Sequence, residues 1–229
     1  MRIRLALAVF VCLTAASGAA TAAAPADRPA APVSGNAVSG PLAQAWTAYH
    51  IGRYAEAMRL AQPLAVEGNA RAQVLVAACY EGGLGVPQDF ATAFKWLQIA
   101  AERGDAEAQM KLANLYDVGA GTAPDRDAAV KWMARAAEGG YAEAQHTLAM
   151  WLLRGGHGLD KNPAQAVAWA AKAADQEYAP AQLLLAACHE YGVGVARDAD
   201  QASAWYAKAA RQGLTKDSAV FAETRDMIR

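Results

Sequence analysis

The sequence has few cysteines, few histidines and almost no net charge. Its 229 residues include 3 Cys and 4 His, and 21 Lys and Arg balance 22 Asp and Glu to a net charge of −1. A chain without a basic excess lacks the positive surface that binding to a phosphate backbone requires, so we expect no nucleic-acid partner. No two His stand three or four residues apart and no Cys pair has zinc-site spacing, so we expect no bound metal.

Alanine is the residue that the sequence has in excess. It supplies 61 residues, so the hydrophobic fraction of 55% overstates the number of large apolar side chains. Ala is the strongest helix former, and its small side chain lets neighbouring helices approach closely. The composition therefore favours helices that pack closely against each other.

Residues 1–22 have the pattern of a secretory signal peptide. Two arginines precede an apolar run that begins at Leu5, and small residues surround Ala22. The strongly apolar stretch ends at Leu13, which is too short for a transmembrane helix of about 20 residues. We expect cleavage near Ala22, a periplasmic or secreted location in a bacterium, and no transmembrane span in the mature chain. Residues 23–41, rich in Ala, Pro, Ser and Gly, are predicted to be a disordered linker.

A pattern of 36 or 37 residues recurs four times in the rest of the chain. The tryptophans are separated by 36, 37 and 36 residues, at Trp96, Trp132, Trp169 and Trp205. A short alanine-rich segment recurs in the same register and ends at Gln73, Gln109, Gln145 and Gln182. Markers that repeat in register predict an array of structural units. The predicted units are 69–104, 105–140, 141–177 and 178–213.

The residue pattern of each unit predicts two helices joined by a glycine-containing loop. In the first unit, Ala72, Val76 and Tyr80 share one face of a helix from about Ala70 to Glu81. A Gly-x-Gly loop then ends the helix, because glycine readily adopts positive φ. Residues of N-cap type follow each loop and predict the start of a second helix, at Asp89, Asp125, Asn162 and Asp198. We expect the Trp of that second helix to fill the wedge between neighbouring units.

The pattern that begins at Ala108 resembles a known family. Ala-x-x-x-Leu-Ala-x-x-Tyr-x-x-Gly-x-Gly, followed by Asp-x-x-x-Ala-x-x-Trp-x-x-x-Ala-Ala-x-x-Gly, is similar to the Sel-one-like repeat, a relative of the tetratricopeptide repeat. The resemblance covers residues 69–213 and implies an all-α, right-handed α–α superhelix, or solenoid. Residues 42–68 resemble a tetratricopeptide helix pair without the long loop, and residues 214–229 are predicted to form a capping helix.

The two cysteines of the repeats predict no disulfide. Cys12 lies inside the predicted signal peptide, whereas Cys79 and Cys188 occupy the same position of units that are three repeats apart. A disulfide needs Cα atoms within about 7 Å, so we expect two buried free thiols.

The sequence contains no clear catalytic motif. The Gly-x-Gly loops lack a following Gly-Lys-Ser/Thr, so we predict no nucleotide site and no cofactor. His157 lies in the loop of the third unit, which is one residue longer, and is interpreted as an exposed loop residue. We therefore predict no catalytic, cofactor-binding or metal-binding residues.

The resemblance implies a non-catalytic scaffold or adaptor in the bacterial cell envelope. A superhelix of helix pairs presents a concave face, which can bind an extended or helical segment of a protein or peptide partner. Carrying over the groove positions of tetratricopeptide repeats predicts the contact residues Val74, Ala78, Glu81, Met110, Asn114, Asp117, His146, Met150, Leu183, Ala187, Glu190 and Tyr191. The carboxylates Glu81, Asp117 and Glu190 would form an acidic rim that favours a basic partner. The sequence leaves the oligomeric state open.

An alternative function also follows from the resemblance. Some secreted members of the family have been associated with binding or slow hydrolysis of β-lactams. Those members are typically rich in cysteine, with a disulfide in each repeat, and this chain keeps two cysteines beyond the predicted signal peptide. It also lacks the Ser-x-x-Lys motif of serine β-lactamases. Both observations favour the scaffold, and a β-lactam-binding or weakly hydrolytic secreted protein is kept as the alternative function.

Overall fold

The computed structural model describes residues 40–228, which form eleven helices and no strand. In chain order the helices are α1 (Pro41–His50), α2 (Tyr54–Val66), α3 (Ala70–Gly82), α4 (Phe90–Glu102), α5 (Ala106–Val118), α6 (Arg126–Glu138), α7 (Ala142–Arg154), α8 (Pro163–Asp175), α9 (Ala179–Tyr191), α10 (Ala199–Ala210) and α11 (Ala219–Ile228). None of these helices combines the length and the hydropathy that a membrane crossing requires.

The predicted signal peptide and most of the predicted linker lie outside the described residues. At its end the linker prediction is wrong by one residue, because Pro41 already begins α1. Proline suits the first position of a helix, since its fixed φ is helical and its missing N–H would have had no partner there.

The helices pack consecutively along the chain, from α1 against α2 to α9 against α10. From α3 onward, each odd-numbered helix up to α9 is the first helix of a unit and packs between the second helices of its own and the preceding unit. The first helices α3 and α5 also contact each other directly, which places the first helices on the inner layer of the solenoid. The architecture is the α–α solenoid that the repeat predicts.

The predicted N-caps of the second helices are confirmed. A side-chain oxygen of Asp125 accepts a hydrogen bond from the backbone N–H of Ala128 at 2.9 Å, and the N–H of Asp125 donates to the Tyr116 carbonyl at 2.9 Å. The first bond begins α6 and the second ties its start to α5. The other units have the same pair of bonds at Asp89, Asn162 and Asp198.

The second glycine of the loop contacts the preceding unit. Gly121 has φ 76°, and a Cβ placed on it would lie 2.2 Å from the carbonyl oxygen of Phe90 at the start of α4. The loop of the second unit thus packs directly on backbone of the first. In the third unit the loop is longer, and a Cβ on Gly158 would meet only Asp127 Oδ1, at 3.8 Å.

The four repeat tryptophans are half-buried, and Trp96 and Trp132 each pack against two core clusters, as expected of residues between neighbouring units. Trp132 packs against two core clusters but is only half-buried, whereas the next residue, Met133, is fully buried. The Arg135 guanidinium carbon lies 4.6 Å from the centroid of the Trp132 ring. Lysines cover Trp169 and Trp205 in the same way. The predicted place between units is confirmed for Trp132, but a cation covers the exposed face of Trp132, Trp169 and Trp205, which the sequence pattern did not indicate.

A column of buried glutamines connects the units, a role that the sequence pattern alone did not reveal. The side-chain amide of Gln109 donates to the carbonyl of Ala101 at 3.1 Å, which ties α5 to the end of α4. Gln73, Gln145 and Gln182 make the equivalent bond to the carbonyl eight residues earlier. Each of these carbonyls also accepts a hydrogen bond from the backbone N–H three residues later, so the glutamine amide supplies its second hydrogen bond.

Candidate functional site

The inner face of the solenoid is formed by the first helices α3, α5, α7 and α9. Arg71 of α3 and Glu107 of α5 form an ion pair at 2.5 Å across this face. Among the described helices, only α2, α4 and α5 pack extensively on α3, and only α3, α4 and α6 pack extensively on α5. The inner surface of these two helices is therefore not covered by another helix of the described chain.

Several predicted contact residues are buried and do not line an open surface. Val74, Leu183 and Ala187 are 0% exposed, and Met110 is 5% exposed. Val74 belongs to a core cluster with Leu97 of α4 and residues of α5, so the next unit covers it. Leu183 and Ala187 are covered by a different element, α11, whose Phe221 packs in the same cluster. The alignment with tetratricopeptide repeats predicted these residues to line the groove because an alignment does not show packing against the next unit or against α11.

The other predicted contact residues remain accessible. Asn114 is exposed, and the remaining seven are half-buried, namely Ala78, Glu81, Asp117, His146, Met150, Glu190 and Tyr191. Tyr191 packs against the cluster that includes Phe221. Their contact with a partner stays a prediction.

Each carboxylate of the predicted acidic rim already faces a cationic or ionisable neighbour. His157 Nε2 lies 3.1 Å from Asp117 Oδ1, and Lys216 Nζ lies 2.9 Å from Glu190 Oε2. Burial raises the pKa of the Glu81 carboxyl, and the charge of Lys111 opposes that rise. The rim therefore carries less unpaired negative charge than the sequence predicts, and a preference for basic partners stays a prediction.

His157 is held in place and is not a simple exposed loop residue. Its ring stacks on Trp151 with centroids 4.0 Å apart and an interplanar angle of 15°. It adopts φ 58°, a conformation that is unusual for a residue with a side chain. With its contact to Asp117, the ring links the loop of the third unit to the end of α5. The extra residue in this loop is the sequence feature that drew attention to His157, although the sequence did not predict its stack on Trp151.

His146 is neutral at pH 7. It is partly buried on α7, its Nε2 is inaccessible, and its ring packs edge to face with Tyr178 at 5.6 Å. Burial lowers the pKa of His146 to about 4. The equivalent residue in the second unit is Met110, so the neutral imidazole occupies a position suited to an apolar side chain.

The described residues contain little that could support chemistry. Cys79 and Cys188 are free and buried, as predicted, and burial raises their pKa values to about 11 and about 12. Thiols with such pKa values are poor nucleophiles. Within residues 40–228 there is no group of three or more His, Cys, Asp or Glu side chains placed to hold a metal ion.

The fourth unit differs from the others because its inner face is occupied. Helix α11 packs on α9 and also contacts α7. Its Phe221 is 4% exposed, and Thr224 is fully buried. The sequence predicted a polar cap over residues 214–229, but not that it would fold against first helices.

Comparison with known proteins identifies the repeat. A family model for the Sel1 repeat matches residues 70–105, 106–141, 142–178 and 179–214, one residue later at each start than the units predicted from the sequence. No curated protein matches the chain.

Several solved structures are similar to the chain. A Sel1 repeat protein from Oxalobacter formigenes is 32% identical with a TM-score of 0.65, over 77% of this chain and 75% of that chain. The protective antigen c5321 of uropathogenic Escherichia coli strains, which has an SLR fold, is 30% identical with a TM-score of 0.68, over 76% of this chain and 38% of that chain. The immunity protein Pa5087 from Pseudomonas aeruginosa shares the fold, at 17% identity and a TM-score of 0.53, over 81% of each chain. The chain belongs to the Sel1-repeat family, whose repeats generally mediate protein–protein interaction.

Proposed function

We propose that this protein is a non-catalytic scaffold that binds a helical segment of a partner protein on the inner face of α3 and α5. The general role of Sel1 repeats in protein–protein interaction supports an interaction function. The inner face is the surface that solenoids of helix pairs offer for extended contacts.

One observation carries the proposal. The inner face of the fourth unit accommodates a helix of the chain itself, since α11 lies on α9 with Phe221 packed over Leu183 and Ala187. The second unit has Met110 and Asn114 at the positions equivalent to Leu183 and Ala187, and Asn114 is exposed there. Met110 is itself buried, so the surface that α11 covers in the fourth unit is open in the second unit at Asn114, and this opening suits the binding of a second helix.

The partner is expected in the cell envelope. This part of the proposal depends on the signal-peptide pattern of residues 1–22, which precedes the described residues. A partner in the same compartment follows if that segment directs export.

Site-specific photocrosslinking tests the proposal. A photoreactive amino acid at Asn114, which is exposed on α5, should crosslink a defined partner in cells that produce the protein from its own promoter. The matched control is Lys131, which is exposed on the second helix α6 and should give no such product. Asn114→Arg should abolish capture of the same partner while leaving the helical circular dichroism signal unchanged. Equal crosslinking at both positions, or at Lys131 alone, would contradict a site on the inner face.

A further inference from the structure

Helix α11 does not continue the stack of the solenoid. Each first helix from α3 to α9 packs against the second helix of the preceding unit. The next such place would be against α10, but α11 packs mainly on α9, contacts α7 and meets α10 at Tyr206. It therefore lies on the inner layer, across the first helices of the last two units.

Among the side chains of α11 that the structure describes, three hold the helix in this position. Phe221 packs with Leu183 and Ala187, Thr224 is fully buried, and Ile228 contacts the clusters of both the third and fourth units. Residues 221, 224 and 228 are spaced i, i+3 and i+7, so they share one face of the helix. This is the spacing with which an amphipathic helix binds a groove.

A polar contact fixes the beginning of the segment. Lys216 Nζ lies 3.0 and 2.9 Å from the two carboxylate oxygens of Glu190, and the Tyr206 hydroxyl donates to Glu190 at 2.5 Å. Lys216 also lies 4.2 Å from the centroid of the Tyr206 ring, and Phe221 meets that ring edge to face at 5.6 Å. The surface formed by Glu190 and Tyr206 thus binds one cation, Lys216, and one aromatic ring, Phe221, five residues apart.

The attachment of α11 is local and small. The helix has ten residues, whereas α2 to α9 have thirteen each, and its described contacts are with α9, with α7 and with Tyr206 of α10. Isolated helices of this length are marginal in water, so α11 depends on the surface beneath it. A short helix that depends on the surface beneath it can undock while the rest of the chain stays folded.

We propose that α11 is an internal ligand of a helix-binding site on α9 and α7, and that a helix of a partner protein with the same chemistry replaces it. That helix carries a Lys, an aromatic residue five positions later, and small and aliphatic residues three and seven positions after the aromatic one. The proposal deepens the proposed function, because it places a second helix site, with its own regulation, beside the open inner face of α3 and α5.

The exchange can be measured with a fluorescent peptide that copies residues 214–229. In the wild-type full chain the tethered helix competes at high effective concentration, so we expect weak binding by fluorescence anisotropy. In full-length Phe221→Ala the tethered helix is weakened and the site beneath it is intact. This variant should bind the peptide at least about tenfold more tightly, which corresponds to 1.4 kcal/mol or more.

Two further variants keep the test interpretable. Lys216→Glu loosens α11 without creating a cavity, so it should also increase the affinity of the chain for the peptide. It provides the same test if the Phe221→Ala variant does not fold. Within the Phe221→Ala background, Glu190→Lys should weaken the peptide, and a peptide carrying Lys216→Glu should restore binding. Val66→Ala, at an exposed position on α2, is the matched control and should behave as wild type.

The outcomes separate the proposals. Equal peptide affinity for wild type and both loosened variants, or no rescue by the charge exchange, would overturn the internal-ligand site. A wild-type dimer that the peptide dissociates would make a second copy the occupant, and would overturn the assignment to a separate partner. Either result would leave crosslinking at Asn114 unaffected, so failure here is distinguishable from failure of the proposed function.

Discussion

The second and third repeats have helices of equal length but join the unit before them in different ways. Both pairs consist of 13-residue helices. The second repeat places Gly121 against the backbone of Phe90, whereas the third has no such approach at Gly158. The third repeat instead uses the ring of His157, which stacks on Trp151 and contacts Asp117. The same inter-repeat junction can thus be made by close backbone packing or by a side chain that bridges a longer loop.

The largest expected effect comes from adding one methyl group to each loop. Gly121→Ala should lower the free energy of unfolding by about 4 kcal/mol, because the new Cβ meets backbone and the residue keeps positive φ. Gly158→Ala adds the same strain at φ 82° but meets no close atom, so it should cost about 1 kcal/mol. Urea denaturation followed by circular dichroism compares the two. Equal losses would mean that the loop of the second repeat can move away from Phe90.

The next largest effect is a loss of stability at low pH that His146 causes in the third repeat and that the second repeat lacks. Burial lowers the pKa of His146 in the folded chain to about 4, from an ordinary value near 6.5. As pH falls, the unfolded chain binds the proton first, so the stabilisation is complete above about pH 6.5 and is lost as pH approaches 4. Between pH 7 and pH 4, the free energy of unfolding of the wild type should fall by about 3 kcal/mol more than that of His146→Met.

The equivalent position of the second repeat provides the converse experiment. Met110 is buried at this position, so Met110→His should give the second repeat the same loss of stability at low pH. Urea midpoints at a series of pH values measure both variants. If the profiles of wild type and His146→Met were parallel, the imidazole of His146 would have to be solvated in the folded protein.

The extent of successful prediction differs between these two repeats. The helix pairs and the caps at Asp125 and Asn162 follow from local rules in both repeats, since spacing, capping and loop glycines each act within a few residues. The stack of His157 on Trp151 depends on how a longer loop folds back in three dimensions, so the sequence indicated only that the loop was unusual.

The candidate site was less predictable for a related reason. Alignment to tetratricopeptide repeats identified the inner face, but it could not show that Val74 is covered by the next unit. It also could not show that α11 covers Leu183 and Ala187, because the capping segment is outside the repeat. Burial at these positions is a tertiary property that neither periodicity nor residue type specifies.

A smaller effect tests the bridging side chain of the third repeat. His157→Ala should cost about 2 kcal/mol, from loss of the aromatic stack and of a partly exposed polar contact. Asp117→Asn removes the charge of the partner but keeps the stack, so it should cost less than about 1 kcal/mol. Chemical denaturation of both variants measures the difference. A larger loss for Asp117→Asn would show that the polar contact, and not the stack on Trp151, holds the loop.

The smallest effect concerns the residues that close the two repeats. The second repeat ends at Gly140 with φ 86°, and the third has Glu177 at the same place with φ 62°. A residue with a Cβ is strained in this conformation and glycine is not, so Glu177→Gly should raise the free energy of unfolding by about 1 kcal/mol. Gly140→Ala is the matched converse, because its Cβ would meet no atom within 4 Å and the expected loss of about 1 kcal/mol is conformational alone. If thermal unfolding showed a loss for Gly140→Ala but no gain for Glu177→Gly, contacts of the Glu177 side chain would have to offset its backbone strain.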